Sequence, residues 1–230
     1  MPSYPAGTRA IAVPCLIRGV TGSGKTLIYM ELMERVLARG RQAILLIPEI
    51  ALTYQMVQRF YHRFGDQVSV LHSRLSQGER SDQFERAKNG EIQIMIGPRS
   101  ALFTPFPRLG LIVLDEEHET SYQSETAPCY HARETAIARA GMEDARVVMG
   151  SATPSVDAYY RSRLGEYRLF ELKNRYENRQ LPRAQIVDLR EELRAGNRSI
   201  LSRRLQEAME ERLAKKEQII LFLNRRGYAG

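Results

Sequence analysis

Cysteine is scarce in this 230-residue chain, and long apolar runs are missing from it. The two cysteines, Cys15 and Cys129, are far apart in sequence and have no Cys-x-x-Cys partner, which disfavours a disulfide framework or a zinc site. No apolar run approaches the roughly 20 residues of a membrane-spanning helix. The first twenty residues lack the pattern of an export signal. These absences together predict a soluble, cytoplasmic protein without a membrane partner.

Internal repeats and low-complexity tracts are also lacking, and 43% apolar with 27% charged residues is typical of a folded protein. The net charge of +7 is unevenly distributed. Residues 156–230 carry 17 Lys and Arg against 11 Asp and Glu, whereas residues 1–155 carry 17 against 16. A basic segment beside a near-neutral one predicts a polyanionic partner, with nucleic acid the first candidate. A solvated, Arg-rich helix face is the alternative interpretation.

Short apolar runs alternate with amphipathic patterns over most of the chain. The runs are 43–48, 68–72, 92–97, 111–115 and 146–150, and the helical patterns are 26–40, 51–64, 76–90 and 130–140. Continuous apolar strands that alternate with helices predict an α/β fold with a parallel sheet flanked by helices. Ligands of such sheets bind at the carboxyl ends of the strands.

The pattern changes after about residue 165. A polar, basic stretch that contains Pro182 predicts a linker. The elements predicted beyond it are a strand at 185–189, a helix at 202–216 and a strand at 218–224. Such a piece buries too little area to stand alone, so it is predicted to open a second domain whose remainder is absent. The predicted organisation is a first lobe at 1–170, a linker at 171–184 and an incomplete second lobe at 185–230.

The strongest local signal is "GVTGSGKT", which fits the pattern Gly-x4-Gly-Lys-Thr. Its glycines allow backbone N–H groups to form an anion-binding nest, and the following helix adds its positive N-terminus. Lys25 is a point charge for the β- and γ-phosphates, and Thr26 offers a hydroxyl to Mg²⁺. A plain glycine turn is disfavoured because an apolar run precedes the loop and a helical pattern follows it. The predicted nucleotide-binding residues are Gly19, Val20, Thr21, Gly22, Ser23, Gly24, Lys25 and Thr26.

The apolar run "LIVLDEEH" ends on four charged or ionisable residues. A phosphate loop needs a carboxylate at a neighbouring strand end to hold its metal, and Asp115 is placed there. Glu116 is expected to orient or activate the attacking water. A bound metal makes adjacent carboxylates tolerable, whereas a solvated turn is the alternative. Asp115, Glu116 and Lys25 are therefore the predicted catalytic residues, with Thr26 and Asp115 as Mg²⁺ ligands and no predicted role for Glu117.

The Asp-Glu-x-His pattern resembles the superfamily-two helicases, and further motifs narrow that resemblance. The segments "GVTGSGKT", "PEIALT", "LHS", "RSALF", "DEEH", "YHAR", "GSATPS" and "NRRGYA" stand in the order of the PriA family, also called primosomal protein N′. The resemblance covers about residues 16–229. It implies a RecA-like P-loop NTPase fold with ATP and Mg²⁺ as ligands. It also implies an ATP-dependent DNA helicase of replication restart and primosome assembly in the bacterial cytoplasm.

Residue roles in coupling ATP turnover to DNA movement follow from the resemblance. His118 is expected to communicate with Ser151 and Thr153, and "ETSYQSETAPCYHARE" stands in the place of an aromatic-rich coupling loop. Tyrosines of this loop are predicted either to stack on bases or to pack in the protein. The predicted coupling residues are His118, Ser151, Thr153, Tyr122, Tyr130 and Arg133. The predicted nucleic-acid contacts are Thr53, Arg99, Ser100, Arg225 and Arg226.

The chain also departs from the family pattern. Gln123 and Cys129 stand where the coupling loop usually has basic residues. The family zinc module, the rest of the second lobe and its arginine finger would lie downstream of residue 230, so no zinc site is expected within this chain. Loss of an arginine finger lowers turnover by about 10³–10⁵.

Two functions therefore remain open. One is a PriA-type helicase that acts on forked or single-stranded DNA together with primosome and single-strand-binding proteins. The other is a catalytically silent nucleotide- or DNA-binding module. A generic P-loop ATPase that acts on protein partners is disfavoured by "GSATPS" after a strand.

Overall fold

The computed structural model describes residues 12–175 and 183–222. The chain divides into two compact units, Met1–Gln180 and Leu181–Gly230. The strands of the described first unit are β1 (Cys15–Gly19), β2 (Gln42–Leu46), β3 (Val68–Val70), β4 (Ile94–Gly97), β5 (Leu109–Asp115), β6 (Arg146–Ser151) and β7 (Arg168–Leu172). Its helices are α1 (Lys25–Leu37), α2 (Tyr54–Phe64), α3 (Gln77–Lys88), α4 (Ala132–Glu143) and α5 (Val156–Arg163).

These strands form one parallel sheet in the order β3–β4–β2–β5–β6–β1–β7. The five residues of β2 are all buried, as are the first six of β5. A strand that is buried on both faces has an unbroken run of apolar residues, so the sequence alone predicts β2 and β5. The prediction of an α/β fold with a parallel sheet is therefore confirmed in the first unit.

Side-chain alternation along the strands creates an apolar layer on each side of the sheet. Ile44 and Leu46 of β2 pack in one layer, with small residues of α4 such as Ala136. Leu45 packs in the other layer, with Tyr29 of α1 and other apolar side chains of α1 and α2. Each fully buried Leu or Ile contributes about 1.5–3 kcal/mol of burial free energy. The two layers fix α1 on one side of the sheet and α4 on the other.

The strand register brings the motif-bearing strand ends to one edge of the sheet. Asp115 of β5 lies opposite Gly150 of β6, and Ser151 lies opposite Arg18 of β1. Gly19, the first residue of the predicted phosphate loop, is the last residue of β1. The phosphate loop, the paired carboxylates and the "GSATPS" segment are therefore neighbours in space.

One strand at the sheet edge was not predicted from the sequence. β7 pairs with β1 in parallel, from Cys15 opposite Arg168 to Gly19 opposite Leu172. Its five residues are only half-buried or exposed, so it lacks the apolar run that marks a central strand.

In the second unit the described residues form two helices, α6 (Leu189–Arg194) and α7 (Arg203–Ala214). The predicted helix at 202–216 is confirmed, with Ser202 as its N-cap. The predicted strand at 185–189 is wrong, because Asp188 caps α6 through a hydrogen bond from Arg190 N (2.9 Å). Residues 218–222 also form no strand, and the rest of that prediction lies outside the described residues. A β-strand needs a neighbouring strand for its backbone hydrogen bonds, and the described part of this unit has no sheet.

No helix among the described residues is long and apolar enough to cross a bilayer.

Candidate functional site

The phosphate loop turns the chain from β1 into α1. Gly24 caps the start of α1 with φ 91°, a left-handed backbone that glycine adopts without steric cost. Ser23 N donates to Val20 O (2.9 Å), which closes the turn. The loop therefore places the N-terminus of α1 at the carboxyl end of β1, an arrangement that binds phosphate in proteins.

Lys25 begins α1 and is buried at 8% exposure. Its Nζ donates to Gly19 O (2.8 Å) and lies 3.9 Å from Glu116 Oε1. The charged end of Lys25 thus lies between the loop backbone and the carboxylates at the end of β5.

Asp115 is held by tyrosines from two different segments. Its Oδ1 accepts a hydrogen bond from Tyr29 Oη (2.9 Å), and its backbone carbonyl accepts one from Tyr122 Oη (2.6 Å). Burial raises the pKa of the Asp115 carboxyl, and the neighbouring charge of Glu116 raises it further. The Tyr29 hydrogen bond and the charge of Lys25 act in the opposite direction. Asp115 is therefore a half-buried carboxyl whose free energy of ionisation depends on nearby charge.

Glu116 adopts a left-handed backbone with φ 47°, which is rare for a residue with a side chain. This turn lets consecutive carboxylates face different surroundings. Glu116 Oε2 lies 3.7 Å from His118 Nδ1, while its Oε1 faces Lys25. Glu117, the next residue, is buried at 2% exposure.

A cavity of about 750 Å³ is lined by the phosphate loop, Asp115, Glu116 and α2. Thr26 contributes to the lining, so a hydroxyl and a carboxylate, the hard oxygen donors that suit Mg²⁺, share one cavity. Ser23 Oγ is buried and has no hydrogen-bond partner among the described residues, which leaves a polar group within the loop for a phosphate oxygen. The residues present therefore fit a nucleoside triphosphate with Mg²⁺.

Three basic side chains of α2 line this cavity and were missed in the sequence: Arg59, His62 and Arg63. They lie on the polar side of an amphipathic helix, and such a pattern gives no indication of the neighbouring element. Arg63 also bonds Glu34 of α1, with 2.6 Å between Nε and Oε1, so α1 and α2 are tied together beside the cavity. The position of these side chains at the cavity depends on the packing of α2 against α1, which the sequence pattern of α2 does not indicate.

The predicted coupling residues at the strand ends are close together. His118 Nδ1 lies 2.8 Å from Ser151 Oγ, and Thr153 N donates to the same oxygen (3.0 Å). Because His118 also lies near Glu116, one chain of polar contacts runs from the carboxylates to the "GSATPS" segment. His118 and Ser151 are therefore joined through their side chains, and Thr153 joins them through its backbone N–H.

Arg133, another predicted coupling residue, lies in a buried charged cluster with Glu117. Its Nη1 lies 3.4 Å from Glu117 Oε2 and 3.2 Å from Ser155 Oγ, and its Nη2 contacts Asp157. Glu117 Oε1 in turn accepts a hydrogen bond from Ser155 N (2.6 Å). Glu117, without a predicted role, therefore joins the end of β5, the start of α4 and the N-cap of α5.

The family model for DEAD/DEAH box helicases matches residues 8–161, which include the phosphate loop, the carboxylates and the "GSATPS" segment. The chain belongs to this family. The matched range therefore contains all three segments that meet at the carboxyl ends of the strands.

The predicted resemblance to PriA is also confirmed for this chain. It is 53% identical over 214 residues to the Replication restart protein PriA of Bacillus subtilis, covering 93% of this chain and 27% of that protein. It is 49% identical over 219 residues to that of a Synechocystis strain, covering 93% and 26%. The chain thus spans about a quarter of the length of these relatives.

Among solved structures, the helicase domain of Pyrococcus furiosus Hef is similar in fold to this chain. The TM-score is 0.51 at 23% identity, and the match covers 72% of this chain and 36% of that one. The RecA-like fold predicted for the first unit is therefore confirmed.

The predicted nucleic-acid contacts of this chain have different surroundings. Arg99 and Ser100 line a second cavity of about 420 Å³, together with residues after β2 and with Tyr122. Arg99 Nη1 donates to Ser121 O (2.8 Å) and Gln123 O (2.7 Å), so it already binds the backbone of the aromatic-rich loop. Thr53 is the N-cap of α2 and accepts from Met56 N (3.3 Å). Arg225 and Arg226 lie outside the described residues.

The two loop tyrosines differ in exposure. Tyr122 is buried at 1% exposure, and its Oη donates to Leu46 O (3.0 Å) as well as to Asp115 O. Of the two predicted roles, packing describes Tyr122, because a buried ring cannot stack on a base. Tyr130 is half-buried and makes an edge contact with Phe103, with ring centroids 5.3 Å apart.

Proposed function

We propose that this chain is the ATP-binding part of a PriA-type, ATP-dependent DNA helicase that acts in replication restart. The observation that carries the proposal is the contact chain Glu116–His118–Ser151, with 3.7 Å and 2.8 Å between the closest atoms. It connects the carboxylate beside the phosphate loop to the "GSATPS" segment, which a simple nucleotide-binding protein does not require. Residues 1–170 form the first lobe in this proposal, 171–184 a linker and 185–230 the start of a second lobe.

We assign the residue roles on the motifs, and the lining of one cavity by Lys25, Thr26 and Asp115 supports the assignment. Backbone N–H groups of the loop and Lys25 bind the β- and γ-phosphates, while Thr26 and Asp115 hold Mg²⁺. When bound, Mg²⁺ neutralises charge on the phosphate oxygens. Glu116 orients and activates the attacking water. His118 senses that carboxylate through its contact at 3.7 Å and transmits the change to Ser151.

DNA is the proposed partner on the second cavity. Arg99 fixes the aromatic-rich loop beside this cavity. Phe103 lies at the other end of the short 3-10 helix that Arg99 begins, and it is 51% exposed, so a base can stack on it. Similarity to the Replication restart protein PriA supports a role in replication restart. The family resemblance of the motifs implies forked or single-stranded DNA as the substrate, and primosome and single-strand-binding proteins as partners in the bacterial cytoplasm.

Nucleotide binding is tested by calorimetric titration of ATP with Mg²⁺ into the chain. The wild-type chain is expected to bind, Lys25→Ala to lose binding, and Lys88→Ala, which removes an exposed lysine from the end of α3, to bind normally. Phosphate release with and without forked DNA is then measured, and Glu116→Gln is expected to bind ATP without releasing phosphate. Failure of the wild-type chain to bind ATP would overturn the proposal. ATP binding without DNA-stimulated release would favour the silent nucleotide-binding module instead.

DNA binding is tested by a salt titration with single-stranded DNA. Contacts with about six phosphates lower the affinity by about 10³ between 50 and 200 mM salt, so a steep decrease is expected. An affinity that stays flat over this range would exclude phosphate-backbone contacts.

A further inference from the structure

Tyr29 of α1 contacts Asp115, the predicted metal ligand. It lies in α1 one turn after Lys25 and is fully buried at 0% exposure. Its Oη donates to Asp115 Oδ1 (2.9 Å).

Gly150 provides the space that this hydroxyl occupies. Gly150 lies opposite Asp115 in the register of β6 and β5. A Cβ atom at position 150 would lie 1.6 Å from Tyr29 Oη and 2.8 Å from its Cζ, far closer than atoms can approach. Any side chain at Gly150 would therefore displace the tyrosine from Asp115. The first residue of "GSATPS" is thus part of the carboxylate's surroundings.

We propose that Tyr29 is a positioning residue, which holds Asp115 by Oδ1 and leaves Oδ2 in a fixed position for the divalent cation, and that Gly150 maintains the space for it. The proposal rests on the proposed nucleotide site. An unrestrained carboxylate rotates about its terminal torsion, whereas one with an oxygen held by a buried donor presents the other oxygen in a single direction. Partners that orient a ligating group typically change metal affinity by about 10- to 100-fold.

A purely structural role for Tyr29 predicts a different result, because the ring also fills the apolar layer beside α2. Tyr29→Phe keeps the ring and removes only the donor, so the two roles separate. Tyr167→Phe is the matched control: Tyr167 is also buried, its hydroxyl lies 3.4 Å from Arg161 Nη1, and it packs in the opposite layer.

The experiment measures ATP affinity of the full chain by calorimetry over a range of MgCl₂ concentrations and in EDTA. For Tyr29→Phe the Mg²⁺ concentration at half-maximal effect is expected to rise about 10- to 100-fold, with ATP affinity in EDTA unchanged. Tyr167→Phe is expected to match the wild-type chain in both measurements. Gly150→Ala is expected to shift the Mg²⁺ dependence in the same direction as Tyr29→Phe.

Each contrary outcome has a separate meaning. If the wild-type chain binds Mg²⁺-ATP and Tyr29→Phe keeps the wild-type Mg²⁺ dependence, the positioning role is overturned and the proposed function stands. If Tyr29→Phe weakens binding equally in Mg²⁺ and in EDTA, the residue acts only through the fold. A wild-type chain that binds no ATP in either condition overturns the proposed function and the role of Tyr29 together.

Discussion

Glu117 and Arg133 form a buried ion pair, with Glu117 Oε2 3.4 Å from Arg133 Nη1 and side-chain exposures of 0% and 9%. The same carboxylate accepts hydrogen bonds from Ser155 N (2.6 Å) and Ser155 Oγ (3.1 Å). A buried charge is tolerated when it is paired and its remaining acceptor positions are satisfied. The end of β5, the start of α4 and the start of α5 are therefore held by one charged group.

Glu117→Ala is expected to lower the free energy of unfolding by about 1–3 kcal/mol, because it leaves Ser155 N without its acceptor and removes one of the carboxylates that face Arg133, which keeps Asp157. Urea unfolding followed by circular dichroism measures this change. Glu91→Ala is the control, since it breaks an exposed pair with Arg86 of α3 (3.5 Å) that is worth at most about 1 kcal/mol. Equal losses in the two variants would contradict a stabilising role for the buried pair.

His131 makes the stability of the chain depend on pH. It caps α4, and its Nδ1 accepts a hydrogen bond from Arg133 N (3.1 Å), which requires that nitrogen to be unprotonated. Burial lowers the pKa of His131, and the charge of Arg133 lowers it further. The folded chain therefore binds this proton less readily than the unfolded chain does. The contribution of His131 to the free energy of unfolding is complete above the unfolded pKa of about 6.5, and it is lost as the pH falls through the lowered folded pKa.

His131→Asn keeps an N-cap acceptor but does not titrate. The free energy of unfolding of the wild-type chain is expected to fall relative to that of the variant as the pH is lowered from about 7 to about 5. Chemical unfolding at a series of pH values tests this. Parallel profiles for the two proteins would show that His131 does not titrate differently in the folded and unfolded chains.

Tyr122→Phe should destabilise the chain although no apolar contact is lost. The Tyr122 hydroxyl shares its single proton between two backbone carbonyls, Leu46 O and Asp115 O. Removing the donor leaves these acceptors unsatisfied, and one buried unsatisfied group costs about 1–3 kcal/mol. Tyr160→Phe, at an exposed tyrosine of α5, is expected to change the free energy of unfolding by less than about 0.5 kcal/mol. A Tyr122 variant as stable as this control would contradict the observed hydrogen bonds.

Much of the nucleotide site could be predicted from the sequence because its signals are local. The phosphate loop is contiguous, and its residue types are fixed by the chemistry of binding phosphate. β5 is visible as an unbroken apolar run, so the carboxylates after it are assigned to a strand end. From these two facts the proximity of Lys25 and Asp115 follows, since parallel strands present their carboxyl ends at the same edge.

Features that depend on partners distant in sequence could not be predicted. Glu117 gives no local indication of burial, because its partner Arg133 belongs to another element. Arg59 and His62 lie on the polar side of α2, and only the packing of α1 places them at the cavity. The strand predicted at 185–189 failed for the converse reason: its apolar residues favour a strand, but the described second unit has no sheet to receive it.

Glu116 is expected to be a site where glycine is more stable than alanine. Its φ of 47° lies in the left-handed region, which disfavours side-chain-bearing residues by about 1–2 kcal/mol. Glu116→Gly should therefore unfold at higher urea than Glu116→Ala. The same pair of substitutions at Glu85 within α3 should show the opposite order, with glycine about 1 kcal/mol less stable. An identical order at both positions would contradict the left-handed conformation.

The φ angle of Glu116 implies that the stability of the fold and the proposed catalytic role of this residue oppose each other. Selection for a more stable fold alone would replace Glu116 with glycine, whereas a carboxylate beside the phosphate loop requires the strained backbone to be kept. Variants of this chain enriched for heat resistance without any demand for turnover should therefore lose this glutamate early, and those enriched for both should gain their stability elsewhere.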